Sequence, residues 1–267
     1  MTAISVTPGT TVRVAPRDAA SLSLGEAAAH AAVEFSPWGG EPVQATADAS
    51  GSVAVPAIQP PALVRVAWEE GGIACAATLE VVQAHYCALG RILAHGPEGD
   101  TPADHGAGEP EAWEARARAE EVIERNARRR FVPTLVRQQA QADGSATLLD
   151  WPDASGIEAD ADAEADEPAP KVYPVGDGAC VVSGRMGGQT ALTYVAGMAS
   201  TPAAIAAACE DLAASYLVPS RIPDRATGES TDAGMLHYTL AGVDGATGIP
   251  DVDAAIEQFG RKRPDVL

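Results

Sequence analysis

Five histidines (His30, His85, His95, His105, His237) and four cysteines (Cys75, Cys87, Cys180, Cys209) are the side chains best suited to metal or nucleophilic chemistry. Their spacing supports neither. Two zinc-binding histidines on one helix stand a turn apart, and the chain has no H-x-x-x-H or H-E-x-x-H. A structural zinc site needs closely spaced thiolates, and there is no C-x-x-C. The stretch SGRMGGQT (183–190) is glycine-rich but has no lysine placed to reach a phosphate, so it reads as a hairpin turn. No G-x-S-x-G elbow presents a serine nucleophile. Asp160, Asp162, Glu164 and Asp166 alternate as in a calcium loop, but the glycine at its sixth position and the glutamate at its twelfth are missing. No pair of carboxylates lies in an apolar context that would raise one pKa for acid catalysis. The expectation is a non-enzymatic chain without metal or cofactor.

The remaining residue type with chemistry to offer is arginine. EARARAEEVIERNARRRFVP (114–133) holds Arg116, Arg118, Arg125, Arg128, Arg129 and Arg130, in a chain of formal charge −19 with 37 acids against 18 bases. Such an acidic chain repels phosphate backbones and anionic membrane surfaces. On a helix, Ala112, Ala115, Ala119, Val122, Ile123, Ala127 and Phe131 share one face, with the arginines mostly off it. Glu114–Arg118, Glu121–Arg125 and Glu124–Arg128 are i,i+4 pairs in the favourable order. Arg128, Arg129 and Arg130 fall where the helix dipole favours cations. The arginines therefore read as the charged face of a structural helix rather than a track for DNA.

The 267 residues allow one large domain or two ordinary ones. Residues 1–83 carry short valine-rich runs: TTVRV (10–14), HAAVEF (30–35), SVAVPAI (52–58), ALVRVAW (62–68) and IACAATLEVV (73–82). Separated by Gly, Pro, Asp and Ser, they predict a small β-sandwich. SLSLGEAAAHAA within this region reads as strand or helix. Residues 84–267 alternate helices and hairpins. A short helix is expected over 85–94 and a long one over 109–131, ended by Pro133. A second long helix over 201–218 is capped by Thr201. Asp143-Gly144, Asp177-Gly178 and Asp244-Gly245 signal hairpins. Strands are expected at 190–197 and 235–242. The acid-alanine run 153–170 has no base before Lys171 and predicts a disordered loop. The class is thus α+β. The cysteines read as reduced and mostly buried, no apolar run is long enough to cross a membrane, and MTAISVTPGT lacks the layout of a signal peptide.

ARARAEEVIERNARRRFVP (115–133), YVAG (194–197) before a proline-capped helix, RIPDRATGESTDAG (221–234) and DGATGIPDVDAAIEQFGR (244–261) together resemble the head-to-tail connector, or adaptor, proteins of long-tailed double-stranded DNA phages and prophages. The resemblance covers about 85–267; the region before it is similar to Ig-like modules that some connectors carry. It implies a virion neck protein, made in the host cytoplasm, that forms a ring of twelve subunits under the portal protein. The ring extends the channel through which phage DNA passes without specific binding, and it meets a stopper or other neck protein. The docking segment it implies is 245–267. There Thr247, Ile249 and Pro250 form an extended turn, Asp251 caps a short helix with Val252, Ile256 and Phe259 on one side, and Arg261, Lys262 and Arg263 give a basic end suited to an acidic neighbour. Arg125, Arg129 and Arg130 of the arginine helix are further candidates for contacts between subunits. The rival reading is a non-enzymatic surface-binding or adhesive module that uses the N-terminal domain.

Overall fold

Valine runs separated by turn residues become strands, and alanine-rich amphipathic runs become helices. The computed structural model describes residues 3–18, 20–96, 100–160, 170–175, 178–183, 189–219, 228–231, 234–237 and 247–261. The chain is α+β, with five sheets and four α-helices among the described residues. It divides into two compact units that interleave in sequence. One comprises Met1–His85 and Arg130–Ser200, the other Tyr86–Arg129 and Thr201–Leu267. A consecutive pair of domains divided at 83/84 was expected. The difference arises because strand patterning says that a segment pairs, not which sheet it joins.

The first part of the all-strand unit has eight strands: β1 (Ala3–Ser5), β2 (Thr11–Val14), β3 (Ser21–Ser23), β4 (Ala32–Pro37), β5 (Val43–Thr46), β6 (Ser52–Ala54), β7 (Ala62–Glu70) and β8 (Ile73–Val81). They form two sheets, ordered β1-β3-β6 and β2-β8-β7-β4-β5. Along β7, Val64, Val66 and Trp68 are buried while Arg65 and Glu69 face out, the period of two expected of a half-buried strand. The ambiguous alanine run resolves into β3 and a 3₁₀ turn at Glu26–Ala28. Gly25 and His30 both adopt positive φ, which interrupts a longer helix. Gly51 lies so close to Gly25 that a Cβ there would sit 1.9 Å from its carbonyl oxygen.

The same unit continues with β9 (Thr134–Gln141), β10 (Asp143–Leu148), β11 (Ser155–Ala159), β12 (Lys171–Pro174), β13 (Ala179–Ser183) and β14 (Gln189–Ala196). Two sheets, β11-β14-β9 and β10-β13-β12, enclose a core of Val136, Ala140, Cys180, Val182, Leu192 and Tyr194. Asp143-Gly144 is not a hairpin turn between β9 and β10. Gly144 takes φ 86° at a register shift, and the chain there leaves one sheet to pair with β13 in the other. Gly178 does lie in the β12–β13 turn, with φ 77°, while Asp177 is outside the described residues. The expected loop over 153–170 needs correction, because Ser155–Ala159 is an edge strand antiparallel to β14. Ile157 packs against the core. Two inward side chains, Ile157 and Ala159, suffice for an edge strand, and an average over the acidic run hides them. Residues 161–169 lie outside the described set.

The helical unit contains α1 (Leu89–Leu93), α2 (Glu109–Ala127), α3 (Ala203–Ser215) and α4 (Pro250–Phe259), with a hairpin of β15 (Gly228–Thr231) and β16 (Gly234–His237). At its start, α2 has Pro110 in the first turn and Glu111 accepting from the Gly108 N–H at 3.0 Å. It ends at Ala127, earlier than expected, because Arg128 turns left-handed at φ 51° and the Arg129 N–H reaches back to the Glu124 carbonyl. In α3 the capping position belongs to Pro202, not Thr201. Ala112, Ala119 and Ile123 of α2 share a core with Ile205, Leu212 and Ala213 of α3 and Val252 of α4. The many alanines let these helices approach closely. Among the described residues no helix is long and apolar enough to cross a membrane.

Candidate assembly interface

The core-facing side of α2 is less apolar than its sequence suggests. Arg116, Glu120 and Glu124, spaced i, i+4, i+8, are 3%, 2% and 5% exposed. They fasten the segment that leads into α1. Glu120 Oε1 accepts from the Tyr86 backbone N–H at 2.9 Å, and Glu124 Oε1 accepts a short hydrogen bond from the Tyr86 hydroxyl. Arg116 donates to the Cys87 carbonyl at 3.3 Å and lies over the Trp113 ring at 4.4 Å. Sequence reasoning missed these residues, since the spacing that makes surface ion pairs also makes a buried stripe. Two members of the expected i,i+4 pairs turn to more distant partners: Glu124 to Tyr86, and Arg118 to the face of Tyr216 at 4.2 Å. Arg91 of α1 grips Glu210 of α3 with two bonds of 2.6 and 3.0 Å. These charges clamp the elements of the helical body together, Arg116, Glu120, Glu124 and Glu210 from within and Arg91 and Arg118 from its surface.

The cysteines are free thiols, with Cys87, Cys180 and Cys209 buried. Cys87 and Cys209 stand 3.4 Å apart, sulfur to sulfur. The proton shared with the Cys87 sulfur, together with burial, pushes the Cys209 thiol well above its ordinary pKa. Among the described residues, no three His, Cys, Asp or Glu side chains are gathered for a metal ion.

The expected contact residues separate into three groups. Val252 and Ile256 are buried within their own unit, where α4 packs on α2 and α3, so the apolar strip of α4 is not open to a neighbour. The cause is the capped turn before it. The Thr247 N–H and hydroxyl both donate to Asp253 Oδ1, at 2.9 and 3.0 Å, and Pro250 opens the helix after Ile249 at the capping position. Asp251, expected as the cap, is an exposed first-turn residue. Arg129 donates to the Phe259 carbonyl at 3.1 Å, and the Arg261 N–H donates to the Ala127 carbonyl at 2.8 Å. A second group thus ties the end of α4 to the end of α2. Arg130 belongs to the strand unit, where it pairs with Glu80 at 2.9 Å and lies over Trp151 at 4.6 Å. The third group, which overlaps the second at Phe259 and Arg261, remains accessible: Arg125, Pro250 and Arg261 are exposed, and Thr247, Ile249 and Phe259 half-buried. Lys262 and Arg263 lie outside the described residues.

No protein-family profile matches the chain, and no curated protein does. Seven chains of solved structures match, among them these three. A chain in the neck of an empty gene transfer agent particle, computed with C6 symmetry, is 21% identical over 60% of this chain and 82% of that one, with a TM-score of 0.40. A chain in the neck of the native particle, computed with C12 symmetry, is 20% identical over 61% and 87%, at 0.39. A chain in the virion of the native particle is 20% identical over 66% and 90%, at 0.42. These neighbours are parts of gene transfer agent particles, two of them of the neck, and the likeness is at low identity and low overall superposition.

Proposed function

We propose that the chain is a structural protein of a virion neck, a head-to-tail connector that forms a ring of twelve subunits under the portal protein and continues the DNA channel towards a stopper or other neck protein. In this reading the N-terminal strands form an Ig-like module, residues 84–267 hold the connector elements, and 245–267 contributes to docking through its accessible residues. No catalysis is assigned to it.

One observation carries the proposal. Two of the stretches that resemble connectors, 115–133 and 244–261, are more than a hundred residues apart, yet residues 115–129 and 247–261 meet in one helical body. Arg129 and Ala127 hold the end of α4 through the Phe259 carbonyl and the Arg261 N–H. A resemblance scattered over distant segments gains weight when those segments form one packed element pair. The charge is in keeping with the role: a channel that neutralised phosphates would retain DNA, whereas a ring of chains at −19 each repels it.

The test is a cryo-EM reconstruction of the neck from particles whose genome encodes the chain. The proposal expects a closed ring of this chain directly below the portal, and tail-less heads when its gene is deleted. Complete tailed particles from the deletion, or a neck without the chain, would overturn it.

A further inference from the structure

We infer that the strand unit carries both halves of a heterologous contact between copies of this chain, with the outer face of β10-β13-β12 on one copy meeting the β4–β5 hairpin of the next. The inference rests on the ring reading above and assigns to it a surface. Registers show the outer face directly. Cys180 and Val182 of β13 point into the core, so Ala179 and Val181 point away from it. Leu148 lies opposite Ala179 on one side, and the Val175 N–H bonds the Ala179 carbonyl on the other; Tyr173 lies opposite Val181. An apolar row therefore crosses all three strands on the solvent side. Leu148 is 75% exposed, and Tyr173 and Val175 are each 51% exposed. Half of the six large hydrophobic side chains found exposed among the described residues are gathered on this one face. Clustering of this kind marks an interaction site, whereas scattered exposed residues do not.

The hairpin of β4 and β5 supplies the counterpart. Trp38 and Val43, 42% and 40% exposed, flank its connecting loop, which carries the exposed Glu41. Trp38 lies over the Arg137 guanidinium at 3.7 Å, and Arg137 is fixed in turn by Asp160 at 2.7 Å. A rigid Trp–Arg stack is the kind of anchor on which interfaces concentrate their energy. The placement of the two patches matches what a ring needs. Arg137 leaves β9 on the face opposite Val136, whose side chain is in the core between the two sheets. Trp38 is therefore on the far side of the sandwich from Leu148, Tyr173 and Val175. Two different patches on opposite sides of one body give head-to-tail contacts, the type of contact from which closed rings are built.

Charge selects the pairing. Lys171, one of only two lysines in the chain, is exposed at the rim of the apolar face, in register with Ser183 on the row next to Tyr173 and Val181. Glu41 sits on the opposing hairpin. In a chain at −19, copies approach against mutual repulsion, and one basic rim residue facing an acidic loop favours this orientation over its alternatives.

Sedimentation velocity of the full chain over a concentration series, with melting curves as a control, tests the contact. Trp38→Ala and Tyr173→Ser should abolish association. Lys171→Glu and Glu41→Lys should each weaken it roughly tenfold, and the two exchanges together should restore it, because opposite charges again face each other. Melting should stay unchanged in the charge variants, whose side chains are exposed. Association that persists undiminished in all four single variants would overturn this contact and leave the ring reading standing. A chain that stays monomeric at every concentration would overturn both.

Discussion

Glu80 shows at residue scale how the strand unit tolerates charge in its interior. Burial works against the ionised carboxyl, but the Arg130 and Arg13 guanidiniums outweigh it, and its pKa is held below the ordinary 4.5. Both arginines reach the same Oε2, at 2.9 and 3.1 Å. A carboxylate with a depressed folded-state pKa contributes stability that is complete above about pH 4.5 and is lost as pH falls through the folded value. Glu80→Gln leaves two guanidiniums without their anion and should cost about 3–5 kcal/mol at neutral pH. Thermal melts from about pH 7 down to 3 should show the gap to the unchanged chain closing only in the acid range. A constant gap would mean that packing, not charge, accounts for the loss. Nothing in the primary structure links residues 13, 80 and 130, so this triad was not legible there.

Among the elements, periodicity was a reliable guide and partner choice was not. Val64, Val66 and Trp68 declare a strand, and Ala112, Ala119 and Ile123 a helix, because burial follows a period of two or 3.6. What periodicity leaves open is which surface covers the apolar side. The strip of Val252, Ile256 and Phe259 reads in sequence as a docking face, but Val252 and Ile256 lie in the helical core. Ile256→Ala should therefore lower stability by about 2–5 kcal/mol, while Asp251→Ala, on the exposed side, should change it little. Chemical denaturation of both variants checks this. Equal and negligible effects would return α4 to the role of a free docking arm. The acidic stretch poses the same problem in miniature. Replacing 161–169 with a Gly/Ser linker of equal length should leave the melting temperature nearly unchanged, given its acid-alanine composition. Extending the replacement through Ser155–Ala159 removes Ile157 from the core and should lower it by several degrees. An early melt in the shorter replacement would show the acids to be folded against the body.

For the whole molecule, charge is the property read most directly from composition. With 37 acids against 18 bases the chain as a whole repels a polyanion, and several of the described arginines are engaged by Tyr216, Trp151, Glu80 and Glu210. Fluorescence anisotropy with duplex DNA at physiological salt should detect no binding in the range of ~10⁻⁴–10⁻⁶ M typical of nonspecific binders. Micromolar binding that weakens steeply with salt would contradict a passive channel wall.

The interleaving of the two units has a consequence for the timing of synthesis. In the helical unit α2 is complete at Ala127, but the α4 that covers part of its apolar side begins only at Pro250. Chain elongation at roughly 5–20 residues per second separates the two by about 6–25 seconds. For that interval a ribosome carries the alanine–isoleucine face of α2 incompletely covered while the strands of the other unit emerge and pair. A nascent-chain chaperone would thus find its binding site in the middle of this chain, and refolding from denaturant, where every segment is present at once, should be faster than folding during translation.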